Sequence, residues 1–358
     1  MEENLSPLVC SNAINNHGAI GICRLPNEDV CHVFVSNKTP ELRRLDEKNI
    51  KPQTFVFAPY SSANLAYVII PEKYTTCKQQ QLLELSHKQI PFFLGSPNIS
   101  LTQAEFEEYV GDAIGAITDG ATDKVVAARC VAAPKPAHFD SIEFFIKLCN
   151  TYVGAYVYLF SSPDSGTWIG ASPELLISKT DRHISSVALA GTKPINDDSP
   201  WLNKEKSEQK YVEQFLSDAF AKQSKQKVSI TPVQEIEAGN IKHLCSNIQI
   251  NTDAQTADKQ LQKILAIINP TPAVCGTPQL EASLFISENE GMERRFYSGF
   301  SGLIDHKKQV KLYVTLRCME LLHTEVLIYA GAGITRQSNA SAEWIETTRK
   351  IETLLGLL

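Results

Sequence analysis

The sequence predicts an α+β fold with much antiparallel sheet and helices packed outside it. Segments that read as strands outnumber those that read as helices, and neighbouring strands are often joined by links too short to hold a crossover helix. The 358 residues are 43% hydrophobic, enough chain to fill a core without disulfide or metal staples. One domain over residues 1–358 is expected, with 1–95 its least legible part and 96–358 carrying the motifs.

In the first part, Thr54-Phe-Val-Phe-Ala58 and Ala66-Tyr-Val-Ile-Ile70 run into Pro59 and Pro71, which suits strands stopped by proline. Thr102-x-x-Glu105 is a capping box, and Phe106, Tyr109, Val110, Ala113, Ile114 and Ile117 follow at helical spacing as far as Gly120. Lys124–Val131 reads as a strand, and Asp140-x-x-Glu143 opens a second helix through Cys149. Strands are expected near 154–160, 166–171 and 174–179, then a helix from Asn203 to Lys222 with Tyr211, Val212, Phe215, Leu216, Ala219 and Phe220 as its apolar face. Late in the chain, Val310, Leu312, Val314, Leu316 and Cys318 alternate with Lys311, Tyr313, Thr315, Arg317 and Met319, the period of a single strand. A short polar link to Glu325–Ile334 predicts a hairpin, and a helix from Ser341 to Leu355 closes the chain with Trp344, Ile345, Thr348, Ile351 and Leu355 turned inward.

A net charge of −6 without Lys/Arg runs argues against nucleic acid or an anionic membrane as the partner, though not against a small anion in a basic pocket. Met1-Glu2-Glu3-Asn4 has neither the basic nor the apolar part of a secretory signal, and no stretch approaches the ~20 apolar residues of a membrane span, so a cytoplasmic location is expected. Nine cysteines without a CxxC pair suit reduced core residues better than a disulfide or zinc framework. HExxH, GxSxG and Walker motifs are absent.

Two acidic helix starts stand out. Glu205 and Glu208 are three residues apart and share a side with Val212, and Glu343 and Glu346 repeat the spacing with Lys350 one turn on. Acids in a first turn complement the helix dipole and need no further role. Alternatively, carboxylates on inward faces must be paired, protonated or bound to a cation, and all-oxygen ligands from two helices would suit Mg²⁺. The run Tyr329-Ala-Gly-Ala-Gly-Ile334 follows a strand without opening a helix, so it allows close backbone approach to a ligand rather than forming a dinucleotide fingerprint. Arg317 suits either a substrate carboxylate or a cross-strand acid.

These pieces occur in an order that resembles the chorismate-utilising enzymes, which include isochorismate, salicylate, anthranilate and aminodeoxychorismate synthases. The matching segments are Lys124-Val-Val-Ala-Ala-Arg129, Gly170-Ala-Ser-Pro-Glu-Leu-Leu176, Leu189-Ala-Gly-Thr192, Lys204-Glu-x-x-Glu208 and Asn269-Pro-Thr-Pro-Ala-Val-Cys-Gly276. They continue through Arg295-Phe-Tyr-Ser-Gly299, Leu316-Arg-Cys318, Ala330-Gly-Ala-Gly-Ile334 and Glu343-Trp-x-Glu-Thr-x-x-Lys350. The resemblance implies the anthranilate synthase component I-like fold, a largely antiparallel two-sheet sandwich with helices outside, acting on chorismate with Mg²⁺. It places the metal on Glu208 and Glu346, with Glu205 and Glu343 reaching it through water or supporting these ligands. Arg317, Lys350, Tyr297 and the Gly331 backbone would anchor substrate carboxylates, Gly191 and Thr192 would line the ring site, and His243 would stand near the substrate.

Within that family, Lys124 falls where water-adding members keep a general base, and Glu174 where they keep the acid that protonates the departing C4 hydroxyl. Ala190 stands where aminodeoxychorismate synthases carry a nucleophilic lysine. The base needs a lowered pKa and the acid a raised one, and the apolar neighbours of both are compatible with that. The wording of Phe296–Gly302 and Leu316–Met319 is most like the isochorismate synthases, which feed menaquinone or siderophore synthesis. A monomer without a glutaminase subunit is then expected, with salicylate synthase or a non-catalytic chorismate-binding relative as the alternatives. Gln209 departs from the histidine often found after the second glutamate of the metal helix, and the segment between Glu174 and Glu208 is short.

Overall fold

Local signals place most helices where the spacing predicts them. In the computed structural model, which describes residues 18–45, 51–60, 65–85, 90, 101–224, 227–238 and 241–358, the helix Gln103–Thr118 starts at a reciprocal cap. The Thr102 side chain accepts from the Glu105 amide while the Glu105 carboxylate accepts from the Thr102 amide at 2.8 Å. Asp140 caps Ser141–Thr151 by accepting from the amides of Ile142 and Glu143. Helices also span Asn203–Ala221, Ala257–Ile268, Gln279–Asn289 and Ala340–Leu355. In the last of these Ile351 is buried, whereas Ile345 and Leu355, expected inside, are 47% and 40% exposed.

The strands form two antiparallel sheets. Among the described residues, one runs in the order Gly276–Thr277, Lys124–Pro134, Glu325–Ile334, Cys318–Leu321, Gly166–Ser172, Tyr156–Ser162, Ala19–Arg24, Val30–Ser36 and Lys73–Lys78. The other runs Ser229–Ile230, Ile241–Asn251, His183–Pro194, Leu175–Lys179, Val310–Val314, Phe300–Ile304, Thr54–Ala58, Leu65–Ile69 and Glu41–Arg44, with Gln234–Ala238 also paired to Ile241–Asn251. The least legible part of the sequence thus completes both sheets. Ala19–Arg24 pairs with Tyr156–Ser162, and Thr54–Ala58 pairs with Phe300–Ile304.

Between the sheets lies an aromatic core in which Phe34, Phe55, Phe57, Tyr158, Phe160 and Trp168 pack together. The ring centroids of Phe57 and Phe160 are 4.4 Å apart, within the range of offset stacking. The outer faces are covered by helices: Ser141–Thr151 and Ala340–Leu355 on the first sheet, Asn203–Ala221 and Ala257–Ile268 on the second. Gln103–Thr118 and Gln279–Asn289 pack on the Lys124 strand and its neighbour. This is the α+β two-sheet sandwich with outer helices that the sequence predicts.

One expectation is corrected. Residues 310–319 are not a single strand. Val310–Val314 belongs to the second sheet and Cys318–Leu321 to the first, so the chain crosses between layers at Thr315-Leu316-Arg317. Both faces of each sheet are covered, with Val310, Leu312 and Val314 under the outer helices and Cys318 in the aromatic core, so the apolar series runs through the crossing without a local mark. The hairpin partner of Glu325–Ile334 is accordingly Cys318–Leu321, in the register Cys318↔Tyr329. Cys23, Cys31, Cys77, Cys130, Cys149, Cys245, Cys275 and Cys318 are reduced, and Cys10 lies outside the described residues. Among the described residues no helix is long and apolar enough to cross a membrane.

Candidate active site

The chain passes between the two sheets at Pro173-Glu174 and again at Leu316-Arg317, and both crossings open onto one cavity. Arg317 turns through φ 45°, in the left-handed region, while its carbonyl accepts from the Ala171 amide at 3.0 Å. The guanidinium is thereby turned towards His243, with Nη2 3.1 Å from His243 Nε2. Arg317 therefore occupies a layer crossing, not the polar face of a strand.

His243 itself is held by a break in strand pairing. The register of His183–Pro194 against Ile241–Asn251 shifts between Ala190 and Thr192. The bulge at Gly191 frees its carbonyl to accept from His243 Nδ1 at 2.9 Å. A glycine is required there, since φ is 70° and a Cβ would stand 3.0 Å from the Glu205 Cβ. Burial, followed by the charges of Arg317 and Lys350, lowers His243 to about 3. The imidazole is neutral, donates through Nδ1 to Gly191 and accepts from Arg317 through Nε2.

Glu174, at the first of the two crossings, is 3% exposed. Burial raises its carboxyl to about 8 against the opposing charges of Lys124 and Lys350, so it is largely protonated at neutral pH. Lys124 begins the strand Lys124–Pro134 and is fully buried, with Nζ 3.1 Å from Glu208 Oε1. Gly333 makes room for this pair, because a Cβ there would fall 2.1 Å from Glu208 Oε1 and 3.0 Å from Lys124 Cε. Burial would raise Glu208, but the charges of Lys124, Lys204 and Lys350 prevail and hold it below the usual carboxylate range.

Lys350 donates to the Gly331 carbonyl and to Glu346 Oε1, both at 2.8 Å. Tyr297 is buried beside it, its ring stacked on Tyr329 at 5.6 Å. Glu174, Gly191, Thr192, Glu208, His243, Tyr297, Arg317, Gly331 and Lys350, expected from sequence, thus line a single cavity, with Lys124 directly behind Glu208. Glu205, Glu343 and Glu346 line a second, adjoining cavity that shares Thr192 with the first.

In the acidic cavity Glu205 Oε2 and Glu343 Oε2 are buried without a hydrogen-bond partner. Burial, and then the charge of Glu346, raises Glu343 to about 7, with Lys204 acting against the shift. Uncompensated carboxylate oxygens are the donors that a hard divalent ion takes together with water, so the residues present fit magnesium. Among the described residues no three acidic, histidine or cysteine side chains form a closed ligand set. Here Glu208, Glu343 and Glu346 are paired with Lys124, Lys204 and Lys350 instead.

Two site residues were not singled out from the sequence. Gly333 lies in the quoted glycine run, but only the fold shows that Glu208 fills its vacant side. Lys204 lies in the quoted Lys204-Glu-x-x-Glu208 segment, and its Nζ donates to Glu343 Oε1 at 2.7 Å. The departure at Gln209 is also accounted for. Its amide donates to the Ala188 carbonyl at 3.1 Å and to Ser246 Oγ at 3.2 Å, tying the helix to the sheet.

A family model described as "Chorismate binding enzyme" matches residues 68–358, more than half of the chain. The protein belongs to the chorismate-binding enzymes. The family resemblance drawn from the motifs is thereby established. Among curated relatives, isochorismate synthase EntC of Escherichia coli is 26% identical over 316 residues, 84% of this chain and 79% of EntC. Among solved structures, the menaquinone-specific isochorismate synthase MenF of Escherichia coli superposes with a TM-score of 0.78 at 20% identity, covering 97% of this chain and 91% of MenF. Anthranilate synthase component I of Streptococcus pneumoniae superposes with a TM-score of 0.70 at 19% identity, covering 94% and 89%. The fold is therefore shared by chorismate-binding enzymes with different names, and the chemistry must be argued from the site.

Proposed function

We propose that this chorismate-binding enzyme is an isochorismate synthase, an isomerase that adds water at C2 of chorismate and expels the C4 hydroxyl. The observation that carries this reading is a protonated carboxyl on the cavity wall, Glu174 raised to about 8, together with a buried lysine, Lys124, standing directly behind Glu208 of the same wall. In its amine form Lys124 would take a proton from the attacking water, and Glu174 would deliver its proton to the departing hydroxyl. The double bond moves as C2–O forms and C4–O breaks, so atoms and charge balance. Ala190 at the cavity wall offers no nucleophile for a covalent route.

Arg317, oriented by neutral His243, and Lys350 are the cations that would bind the two substrate carboxylates, and Tyr297 and Gly331 would shape the space between them. Gly191 and Thr192 would border the ring. Glu208 and Glu346 would hold Mg²⁺, with Glu205 and Glu343 acting through water or supporting these ligands. When bound, the ion would neutralise a substrate carboxylate that the acidic cavity would otherwise repel. The named relatives support this reading through EntC and MenF, and isochorismate is a starting point for menaquinone and for catechol siderophores.

The test is chorismate with the purified protein and Mg²⁺, with and without ammonium, the products resolved by chromatography. Isochorismate alone, abolished by chelator, is expected. Salicylate with pyruvate would move the protein to the lyase branch, ammonium-dependent anthranilate would overturn water as the nucleophile, and no product would leave a chorismate-binding relative without turnover.

A further inference from the structure

The acidic cavity already contains a positive charge. Lys204, in the first turn of Asn203–Ala221, reaches the start of Ala340–Leu355 and donates to Glu343 Oε1 at 2.7 Å. Burial alone would favour its neutral form, but Glu346, Glu343 and Glu208 together hold it as an ammonium. No side-chain cap closes the first turn of its helix, so this ion pair is the polar link between the two helix starts.

Three lysines meet carboxylates in this region, and they are held differently. Lys124 is fully buried behind Glu208, and Lys350 is tied to the Gly331 carbonyl as well as to Glu346. The hydrogen bond of Lys204 is to a carboxylate alone, and its side chain remains 17% exposed at the edge of the cavity. One ammonium leaves Glu205 Oε2 and Glu343 Oε2 without hydrogen-bond partners. Glu343 is only 1% exposed, so its second oxygen is cut off from bulk solvent.

We propose that Lys204 is the resident cation of the acidic cavity, and that a divalent metal ion binds there by displacing its ammonium from Glu343. This rests on the metal reading above and extends it: Lys204 sets the metal affinity by holding Glu343, the carboxylate that the ion needs through water or as support for its ligands. An ammonium is a compact charge on a flexible four-carbon stem, and Lys204 lines the cavity with its side chain still 17% exposed, a position from which it can swing outward. Lys204 is thus a positioning and affinity-setting residue, not a catalytic one.

The experiment is a calorimetric titration of the full-length protein with MgCl₂ in the absence of chorismate, comparing the native chain with Lys204→Met and Lys204→Gln. Both variants should bind Mg²⁺ roughly tenfold or more tightly, since a charged hydrogen bond no longer has to be broken. In parallel, spectra of ¹³C,¹⁵N-lysine-labelled protein should show the Lys204 ammonium, assigned through its side-chain correlations to the Lys204 backbone, moving to a solvent-exposed position as Mg²⁺ saturates. Native binding with equal or weaker binding in the variants overturns the displacement and leaves the metal reading standing. An ammonium signal unmoved at saturation does the same, and decides the matter should both variants fail to fold. Absence of binding in native and variant chains alike overturns both.

Discussion

Lys124 and Glu208 form a buried ion pair at 3.1 Å, and Gly333 on the neighbouring strand leaves the space that the carboxylate occupies. The register Gly333↔Val126 brings that vacancy alongside the Lys124 strand. Gly333→Ala should therefore move Glu208 off Lys124 without disturbing the core, because the atom displaced is the end of a flexible side chain. We expect kcat to fall roughly 10²-fold, the usual cost of a misplaced reacting group, with a thermal midpoint close to native. A large loss of stability with kcat per folded molecule retained would contradict it.

Removing the base is the direct test of chemistry. Lys124→Ala should lower turnover by roughly 10²–10⁴ while calorimetry still detects chorismate, because Arg317 and Lys350 remain. Unchanged turnover would end the assignment of Lys124.

The pH dependence follows from Glu174. The protonated form is the competent acid, so kcat/KM should fall as pH rises through about 8. The same shift acts on stability. The folded state binds this proton more tightly than the unfolded chain, whose carboxyl is near 4.5, so the contribution is complete below 4.5 and is lost as pH rises through about 8. Glu174→Gln should flatten that stability slope and abolish turnover. A slope unchanged in the variant would show that another group carries it.

Arg129 joins the Lys124 strand to the helix of Glu346 and Lys350. Its guanidinium donates to Thr347 Oγ1 and Thr348 Oγ1, both at 2.8 Å, and lies 3.6 Å from the Trp344 ring centroid. Arg129→Ala should cost about 2–4 kcal/mol, set by charged hydrogen bonds and a desolvated cation–π contact offset by relief of a buried charge. Urea unfolding measures it, and a change below 0.5 kcal/mol, the ordinary range of surface substitutions, would refute the clamp.

Gln209 offers a smaller test of the same kind. Gln209→Leu leaves the Ala188 carbonyl and Ser246 Oγ without its amide and should destabilise by about 1–3 kcal/mol. Activity per folded molecule should persist, because Gln209 does not line the cavity. Loss of activity at full stability would give it a direct part in the site.

Much of this was legible in the residues themselves. Caps at Thr102 and Asp140, helical spacing after Asn203 and the apolar run from Lys124 fixed those elements, because each signal is local. The paired glutamates at 205, 208, 343 and 346 were visible as acids on potentially inward faces. Lys350, the partner of Glu346, was visible one turn on, but Lys204 as the partner of Glu343 was not, since those two are 139 residues apart. The crossing at Thr315–Arg317 was misread because the apolar series runs on through the switch of sheets.

By itself the sequence determined the family, the α+β architecture and which residues are candidates for base, acid and metal ligand, since propensity, periodicity and motif order are properties of neighbouring residues. Only the tertiary structure decided that Glu174 is buried and protonated, that a bulge at Gly191 turns His243 towards Arg317, and that Lys204 holds Glu343 across two helices. Burial and charge pairing depend on which distant segments share a small volume of low dielectric, and the chain specifies that volume only once both sheets have closed around it.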